Sequence, residues 1–294
     1  MNLPEWMNKQ DIRNWHYGNI HERVSIEEIK DAKKYLMSLP IDVEDEDIPE
    51  WVDPEEFRLE LEFQKLILHC IIEEIEHIFW IDWFDGSLKT NYATRLTNNN
   101  VIYKPSYLQG FSFWVPPTKI MDMSIFDLFD IFRPWKWRTI VYDRTFLNRA
   151  LIQLIMKYCK PEQGVEFYED LIPYVTEKLL DSGALVNMSF NFLDTQNQII
   201  NLLNRKSDIR KWYRIGEVDK AAIDNRPLQI EQLTKIKEQF EQITHPNFNF
   251  NIISTNNKST GLKNTMKHAL QNVDYLRKSE GIDFTPDPAP ELKI

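Results

Sequence analysis

The chain has 294 residues, of which 43% are hydrophobic and 13% aromatic, so it can bury a sizeable core and is not disordered as a whole. Its formal net charge of -10 argues against strong binding to nucleic acid, which requires a basic surface. No run of about 18 apolar residues occurs and the N-terminus lacks a signal-peptide pattern, so no membrane insertion is expected. Cys70 and Cys159 lie in apolar helical patterns and are expected to be buried free thiols. The predicted location is therefore the cytoplasm, or a virion if the source is viral.

Charge is distributed unevenly along the chain, and its overall residue usage is biased. Residues 1–60 carry 16 acidic and 7 basic side chains, whereas residues 194–281 carry 10 acidic and 14 basic ones. Complementary ends of this kind favour contact with each other or with the matching ends of neighbouring copies of the chain. Glycine is rare, with 8 residues, while Asn and Ile are frequent, a bias typical of an AT-rich genome such as that of a low-GC bacterium or one of its viruses.

Two helices are predicted in the first third of the chain. A capping box at Ser25–Glu28 predicts the start of the first helix, and Pro40 ends it. An acidic connector follows. Asp53 as cap and Pro54 at the first helical position then predict a second helix that continues to Trp83. Its apolar surround predicts that it is the most buried helix of the protein.

The second helix contains the spacing Glu74-x-x-His77, which on a helix places both side chains on one face. Di-iron carboxylate bundles use two such pairs together with further glutamates from other helices. The second pair is missing here, because no other histidine has a glutamate three residues before it. We therefore expect no metal at Glu74 and His77, and an iron-dependent oxidoreductase using these two residues is the alternative hypothesis.

The remaining elements alternate between strands and helices. Apolar and polar residues alternate in 90–97 and again in 101–103, on either side of an Asn-rich turn. This pattern predicts a β-hairpin insertion at about 88–115. Further alternation predicts strands near 186–192 and 247–254. The fold class that these patterns indicate is α+β, mainly helical with a small antiparallel sheet or hairpins.

The predicted domains are a helical core over 1–193, which includes the hairpin insertion, and a C-terminal helical part over 194–294. The second of these contains the strand near 247–254 and ends in an extended, Pro-rich tail at 285–294.

Several common chemistries are excluded by motif. No two of the glycines lie closer than 19 residues, which excludes the standard P-loop, G-x-G-x-x-G and G-x-S-x-G patterns. No C-x-x-C or H-E-x-x-H pattern occurs, so the usual zinc sites are excluded as well. These absences predict no cofactor and favour a role without catalysis.

Two aromatic clusters are candidate interfaces. Bases and indoles interleave at Trp135, Lys136, Trp137 and Arg138, and Phe113 and Trp114 form a second aromatic cluster. Arginine and tryptophan side chains anchor protein–protein interfaces, whereas a stacking platform for a ligand is the alternative for the first cluster. We interpret both clusters as interface or core contacts.

The sequence therefore predicts a structural or assembly protein of a multi-subunit particle. A phage component such as a head–tail connector or collar ring is the concrete form of this prediction. The expected partners are copies of the same chain or other subunits of the assembly.

Overall fold

The computed structural model describes residues 24–84, 86–97, 109–112, 139–143, 175–204, 223–224 and 226–271. Two helices come first, α1 (Ile26–Ser38) and α2 (Pro54–Ile72), with a 3₁₀ turn at Asp45–Asp47 between them. The elements that follow, in chain order, are β1 (His77–Trp83), α3 (Lys89–Thr97), β2 (Gln109–Ser112), β3 (Thr139–Asp143), a π-helical segment (Val175–Leu180), β4 (Leu185–Phe192), α4 (Thr195–Asn204), α5 (Arg226–Phe240), β5 (Phe248–Ser254) and α6 (Lys258–Leu270).

All five described strands form one parallel sheet in the order β2-β3-β1-β4-β5. The central strand β1 pairs with β3 on one side and β4 on the other, so that Phe79 lies between Val141 and Asn187. The predicted fold, mainly helical with a small antiparallel sheet, is therefore wrong, and the protein is an α/β domain. A parallel strand that is apolar on both of its covered faces, as β1 is, lacks the alternation of half-exposed strands. Every residue of β1 is buried, and its apolar run is indistinguishable in sequence from a buried helix.

The helix predicted over Asp53–Trp83 is in fact a helix followed by a strand. Asp53 caps α2 as expected, since its carboxylate accepts a hydrogen bond from Glu56 N at 2.9 Å. The helix ends at Ile72, and Ile75 N closes it by donating to Cys70 O at 2.8 Å. Glu74 takes a left-handed backbone with φ 51° at this end. Because glycine and asparagine are the usual residues in that conformation, the sequence contains no recognisable stop at this point.

The strand predicted over residues 90–97 is helix α3, so that prediction is wrong. Strand β2, which falls in the expected hairpin at 88–115, pairs in parallel with β3, whereas a hairpin requires antiparallel strands. Residues 98–108 and 113–115 of that hairpin lie outside the described residues. Strands β4 and β5 occupy the places where alternation predicted strands. The division into domains at 193 and 194 stays a prediction, and the tail at 285–294 lies outside the described residues.

Helices cover both faces of the sheet. Against one face pack α2, α3 and α6, whose apolar side chains join Phe79, Ile81 and Val141 in the main core. Cys70 of α2 is a buried free thiol within it, as predicted, and Cys159 lies outside the described residues. On the other face the ring of Phe190 lies 6.3 Å from that of Phe240, which belongs to α5. The described helices include none that is long and apolar enough to cross a membrane.

Candidate phosphate-binding site

The structure separates the two residues of the predicted metal pair. Glu74 lies in the turn after α2, whereas His77 is the first residue of β1 and is fully buried. The imidazole of His77 makes hydrogen bonds with Asn187 Oδ1 at 2.9 Å and Thr139 Oγ1 at 3.3 Å. Burial lowers the pKa of His77 to about 4, although the bond to Asn187 opposes the shift. Among the described residues there is no group of three or more His, Cys, Asp or Glu side chains that could hold a metal.

The six interface candidates lie outside the described residues. These are Trp135, Lys136, Trp137, Arg138, Phe113 and Trp114. Their role as interface anchors stays a prediction.

The topology places the candidate site at the carboxyl ends of the strands, whereas His77 lies at the amino end of β1. In open parallel sheets, ligands bind at the carboxyl ends of the strands, where successive connections leave in opposite directions. That point is the end of β1, because the chain continues to β2 and β3 on one side and then crosses to β4 and β5 on the other. The segment from Trp83 to Lys89, which joins β1 to α3, lies at this edge.

This segment has the layout of a phosphate-binding loop without its glycines. The motif is a strand, then G-x-x-x-x-G-K-[ST], then a helix. Here Lys89 and Thr90 open α3, and Trp83 and Leu88 stand at the two glycine positions. Both have left-handed backbones, with φ 93° at Trp83 and 64° at Leu88, and Gly86 has φ 83°. The glycine pattern of a P-loop is absent, as predicted, but left-handed backbones occur at both of its glycine positions.

The packing of the two large side chains explains how the loop keeps this conformation. The fully buried indole of Trp83 stacks on the ring of Phe190 at 5.2 Å between centroids and 13° between planes. Leu88 packs against the core on the side of α2 and α6. A non-glycine residue in a left-handed conformation costs about 1–2 kcal/mol and persists only where the surroundings determine it. Trp83 is fully buried and Leu88 is partly buried against the core, so packing determines the backbone at both positions.

Side chains of β4 and α4 hold the loop by its carbonyl groups. Asn191 Nδ2 donates to Ser87 O at 2.9 Å, and Asn201 Nδ2 donates to Gly86 O at 2.8 Å. Ser87 Oγ donates to Phe84 O at 2.7 Å, within the loop itself. These bonds hold the carbonyl groups of Gly86 and Ser87 to the protein, as is expected of a loop that binds an anion rather than a cation.

Lys89 supplies the charge of the site. Its side chain is 3% exposed, and its Nζ donates to Trp83 O at 2.6 Å and to Phe84 O. The ammonium therefore lies directly over the turn at the end of β1. In a phosphate-binding loop this is the lysine that contacts the phosphate being transferred. Asp82, also buried, accepts a hydrogen bond from Trp83 N at 2.6 Å and so stabilises the same turn.

Comparison with protein families shows to which family the chain belongs. The family model of polyphosphate kinase 2 (PPK2) matches residues 58–281, which is about three quarters of the chain. This chain belongs to the polyphosphate kinase 2 family. The matched stretch includes the whole parallel sheet and the loop that carries Lys89. The predictions of a phage structural component and of an iron-dependent oxidoreductase are both wrong.

Individual members of the polyphosphate kinase 2 family are distant relatives of the chain. It is 27% identical over 150 residues to NDP-polyphosphate phosphotransferase 2 of Ruegeria pomeroyi, a match that covers 51% of this chain and 42% of that protein. It is 20% identical over 258 residues to ADP-polyphosphate phosphotransferase 1 of Rhizobium meliloti, covering 81% and 84% of the two chains. The chain thus spans less than half the length of the first relative and most of the second.

A solved structure supports the fold. Polyphosphate kinase 2 from Arthrobacter aurescens superposes with a TM-score of 0.56 at 15% identity, covering 90% of this chain and 84% of that one. The sequence contained one feature that could have located the site, namely the pair Lys89-Thr90, which begins five positions after the end of a very apolar run at Phe84. The assignment of that run to a helix concealed it, because a phosphate-binding loop is recognised only between a strand and a helix.

Proposed function

We propose that this chain transfers a phosphoryl group between polyphosphate and a nucleoside diphosphate. The observation that carries the proposal is the Lys89 ammonium over the loop after β1, within the stretch matched to the polyphosphate kinase 2 family. The relatives named for polyphosphate phosphotransfer to ADP or to nucleoside diphosphates support the same substrate classes. We include a cytoplasmic location in the proposal. The support for it is the buried free thiol of Cys70, since free cysteines are typical of reducing compartments.

The reaction exchanges one phosphoanhydride bond for another. A terminal oxygen of the nucleoside diphosphate attacks the terminal phosphorus of polyphosphate, and the bond from that phosphorus to its bridging oxygen breaks. The products are a nucleoside triphosphate and a polyphosphate shorter by one unit, and the reverse reaction lengthens the polyphosphate. Catalysis of such a transfer consists mainly of positioning and of stabilising charge on the transferred group. The loop N–H groups and the Lys89 ammonium have the appropriate charge for both tasks.

Phosphoryl transfer of this kind generally uses Mg²⁺, which neutralises charge on the phosphate oxygens. Mg²⁺ is commonly held by one or two carboxylates together with substrate phosphates. Asp82, buried at the end of β1, is the described carboxylate that directly precedes the loop.

The test is a transfer assay on the purified chain with Mg²⁺, polyphosphate and each of the common nucleoside diphosphates. We expect formation of the matching triphosphate, measured by chromatography. Lys89→Ala should lower kcat/KM by about 100- to 1,000-fold, the usual cost of removing one charge-stabilising donor. Lys235→Met is the matched control, because it removes a lysine charge from the exposed face of α5. Absence of transfer to every nucleoside diphosphate would refute the proposal.

A second candidate function is binding of polyphosphate without transfer. The observation that favours it is the presence of Trp83 and Leu88 at the two positions where the motif has glycine. Calorimetric titration with tripolyphosphate separates the two candidates. Binding that is lost in Lys89→Ala, together with no transfer in either direction, would support the second candidate over the first.

A further inference from the structure

A buried arginine lies beside the loop. Arg226 is the first residue of α5, and only 6% of its surface is exposed. Its guanidinium carbon lies 4.5 Å from the centre of the Phe84 ring and 5.5 Å from that of Phe192. Phe84 is the loop residue immediately after Trp83, and Phe192 is the last residue of β4. Arg226 therefore connects the start of α5 to the loop through an aromatic ring.

The guanidinium is also fixed by hydrogen bonds to the structure around β4. Nη1 donates to Gln198 Oε1 of α4 at 2.5 Å, and Nη2 donates to Leu193 O directly after β4. The two phenyl rings are themselves in contact, at 5.6 Å and 70° between Phe84 and Phe192. The side chain of Arg226 thus contacts the loop, the end of β4, the residue after it and α4. A flexible side chain held at four points has a well-defined position.

Burying this cation is costly, and its described contacts do not include an ion pair within bonding distance. Burial lowers the pKa of the Arg226 guanidinium, and the charge of Asp194 opposes the shift. Arginine nevertheless stays protonated in proteins, so a positive charge remains buried at this edge of the sheet. Such a charge must be compensated by its contacts. The aromatic ring of Phe84 is one of them, since a cation over a ring face is attracted by its quadrupole.

We propose that Arg226 is a positioning residue for the phosphate-binding loop: it clamps Phe84 and thereby holds the turn from Trp83 to Lys89 in the conformation that binds phosphate. The proposal rests on the proposed function for its kinetic consequence, but its structural consequence can be measured without activity. The turn in question is short, and Ser87 N donates to Phe84 O at 3.3 Å within it. Displacement of Phe84 would move the carbonyl oxygen that Lys89 also bonds.

Three variants test the proposal. Arg226→Met keeps an apolar stem of similar length and removes the cation and its donors. Arg226→Lys keeps the cation over the ring but loses the forked hydrogen bonds. Lys235→Met removes a charge from the same helix at a position whose described partner is the exposed Glu231. All three are compared with the unchanged chain in the transfer assay and by amide hydrogen exchange.

The kinetic expectation is a rise in KM for polyphosphate of about tenfold in Arg226→Met, which corresponds to about 1.4 kcal/mol. The rise in Arg226→Lys should be smaller, and Lys235→Met should match the unchanged chain. A purely structural role would lower the amount of folded enzyme, so kcat would fall while KM stayed constant. That result, or equal loss in the methionine and lysine variants, would overturn the proposal.

Hydrogen exchange gives the readout that does not depend on activity. In Arg226→Met the Ser87 amide should exchange about tenfold faster, while amides within β1 keep their rates. Unchanged exchange at Ser87, or an equal acceleration throughout the sheet, would overturn the proposal. If the unchanged chain shows no transfer with any nucleoside diphosphate, the proposed function fails. In that case hydrogen exchange by itself still tests whether Arg226 holds the loop.

Discussion

Buried histidine makes the stability of this protein sensitive to mild acid. His77 is fully buried at the start of β1, with its two ring nitrogens bonded to Asn187 and Thr139. Its pKa is lowered from 6.5 to about 4. In the unfolded chain the imidazole gains a proton near its ordinary pKa, whereas in the folded protein it does not. The unfolded state therefore binds more protons between these values, and stability falls as pH decreases through this window.

The size of the effect follows from the two pKa values. A difference of one pKa unit is worth about 1.4 kcal/mol, so the complete loss approaches about 3 kcal/mol. Between pH 7.5 and pH 5 the loss from His77 is about 2 kcal/mol. Burial also lowers the pKa of His268, so this second histidine acts in the same direction. At pH 5 most carboxylates are still ionised, which separates the histidine effect from general acid denaturation.

The assay is urea unfolding followed by circular dichroism at pH 7.5 and pH 5. His77→Gln keeps an amide donor for Asn187 and cannot gain a proton. We expect this variant to lose about 2 kcal/mol less than the unchanged chain over this interval. If the unchanged chain and His77→Gln lose the same free energy to within about 0.5 kcal/mol, the buried neutral imidazole is not the cause.

Three further outcomes are expected. A methyl group at Gly261 would lie 2.3 Å from Tyr92 Oη, so Gly261→Ala should lower the free energy of unfolding by about 1–3 kcal/mol in urea titrations. Adding Tyr92→Phe should recover part of this loss, and no recovery would exclude the clash as its cause. Asn201→Ala removes the amide that holds the loop, so KM for polyphosphate should rise while the free energy of unfolding changes by less than about 1 kcal/mol. An unchanged KM would count against its role in holding the loop. We also propose that the chain self-associates through the acidic residues 1–60 and the basic residues 194–281, so light scattering should show an oligomer that weakens as salt rises. A monomeric mass at micromolar concentration and low salt would contradict this.

Replacement of glycine in the phosphate-binding loop has a physical explanation in the packing. A glycine at such a position keeps the loop flexible and lets the backbone approach a phosphate closely. In this chain the conformation is maintained instead by the stack of Trp83 on Phe190 and by the packing of Leu88 in the core. The strain of the left-handed backbone is therefore offset by burial of apolar surface. Motif searches that require glycine miss such a loop, although its backbone and its lysine are present.

The sequence by itself determined the features that depend on neighbouring residues. The capping box at Ser25 and Glu28 is confirmed by both of its hydrogen bonds, at 2.8 and 3.1 Å. The cap at Asp53 and the alternating strands β4 and β5 are confirmed as well. In each case the signal is a side chain that bonds the adjacent backbone, or a period of two in the hydrophobic pattern. Both signals are independent of what the rest of the chain does.

Only the tertiary structure decided that β1 is a strand, that the sheet is parallel and that the turn carrying Lys89 lies at the carboxyl end of β1. β1 is buried on both faces and mostly apolar on both, so it has no periodicity of its own, and its identity comes from the hydrogen bonds of β3 and β4 on either side. Likewise the left-handed residues Glu74, Trp83 and Leu88 are not of the types that favour this conformation. Packing of parts distant in sequence outweighs the local preference of about 1–2 kcal/mol at each position, and no local pattern records that packing.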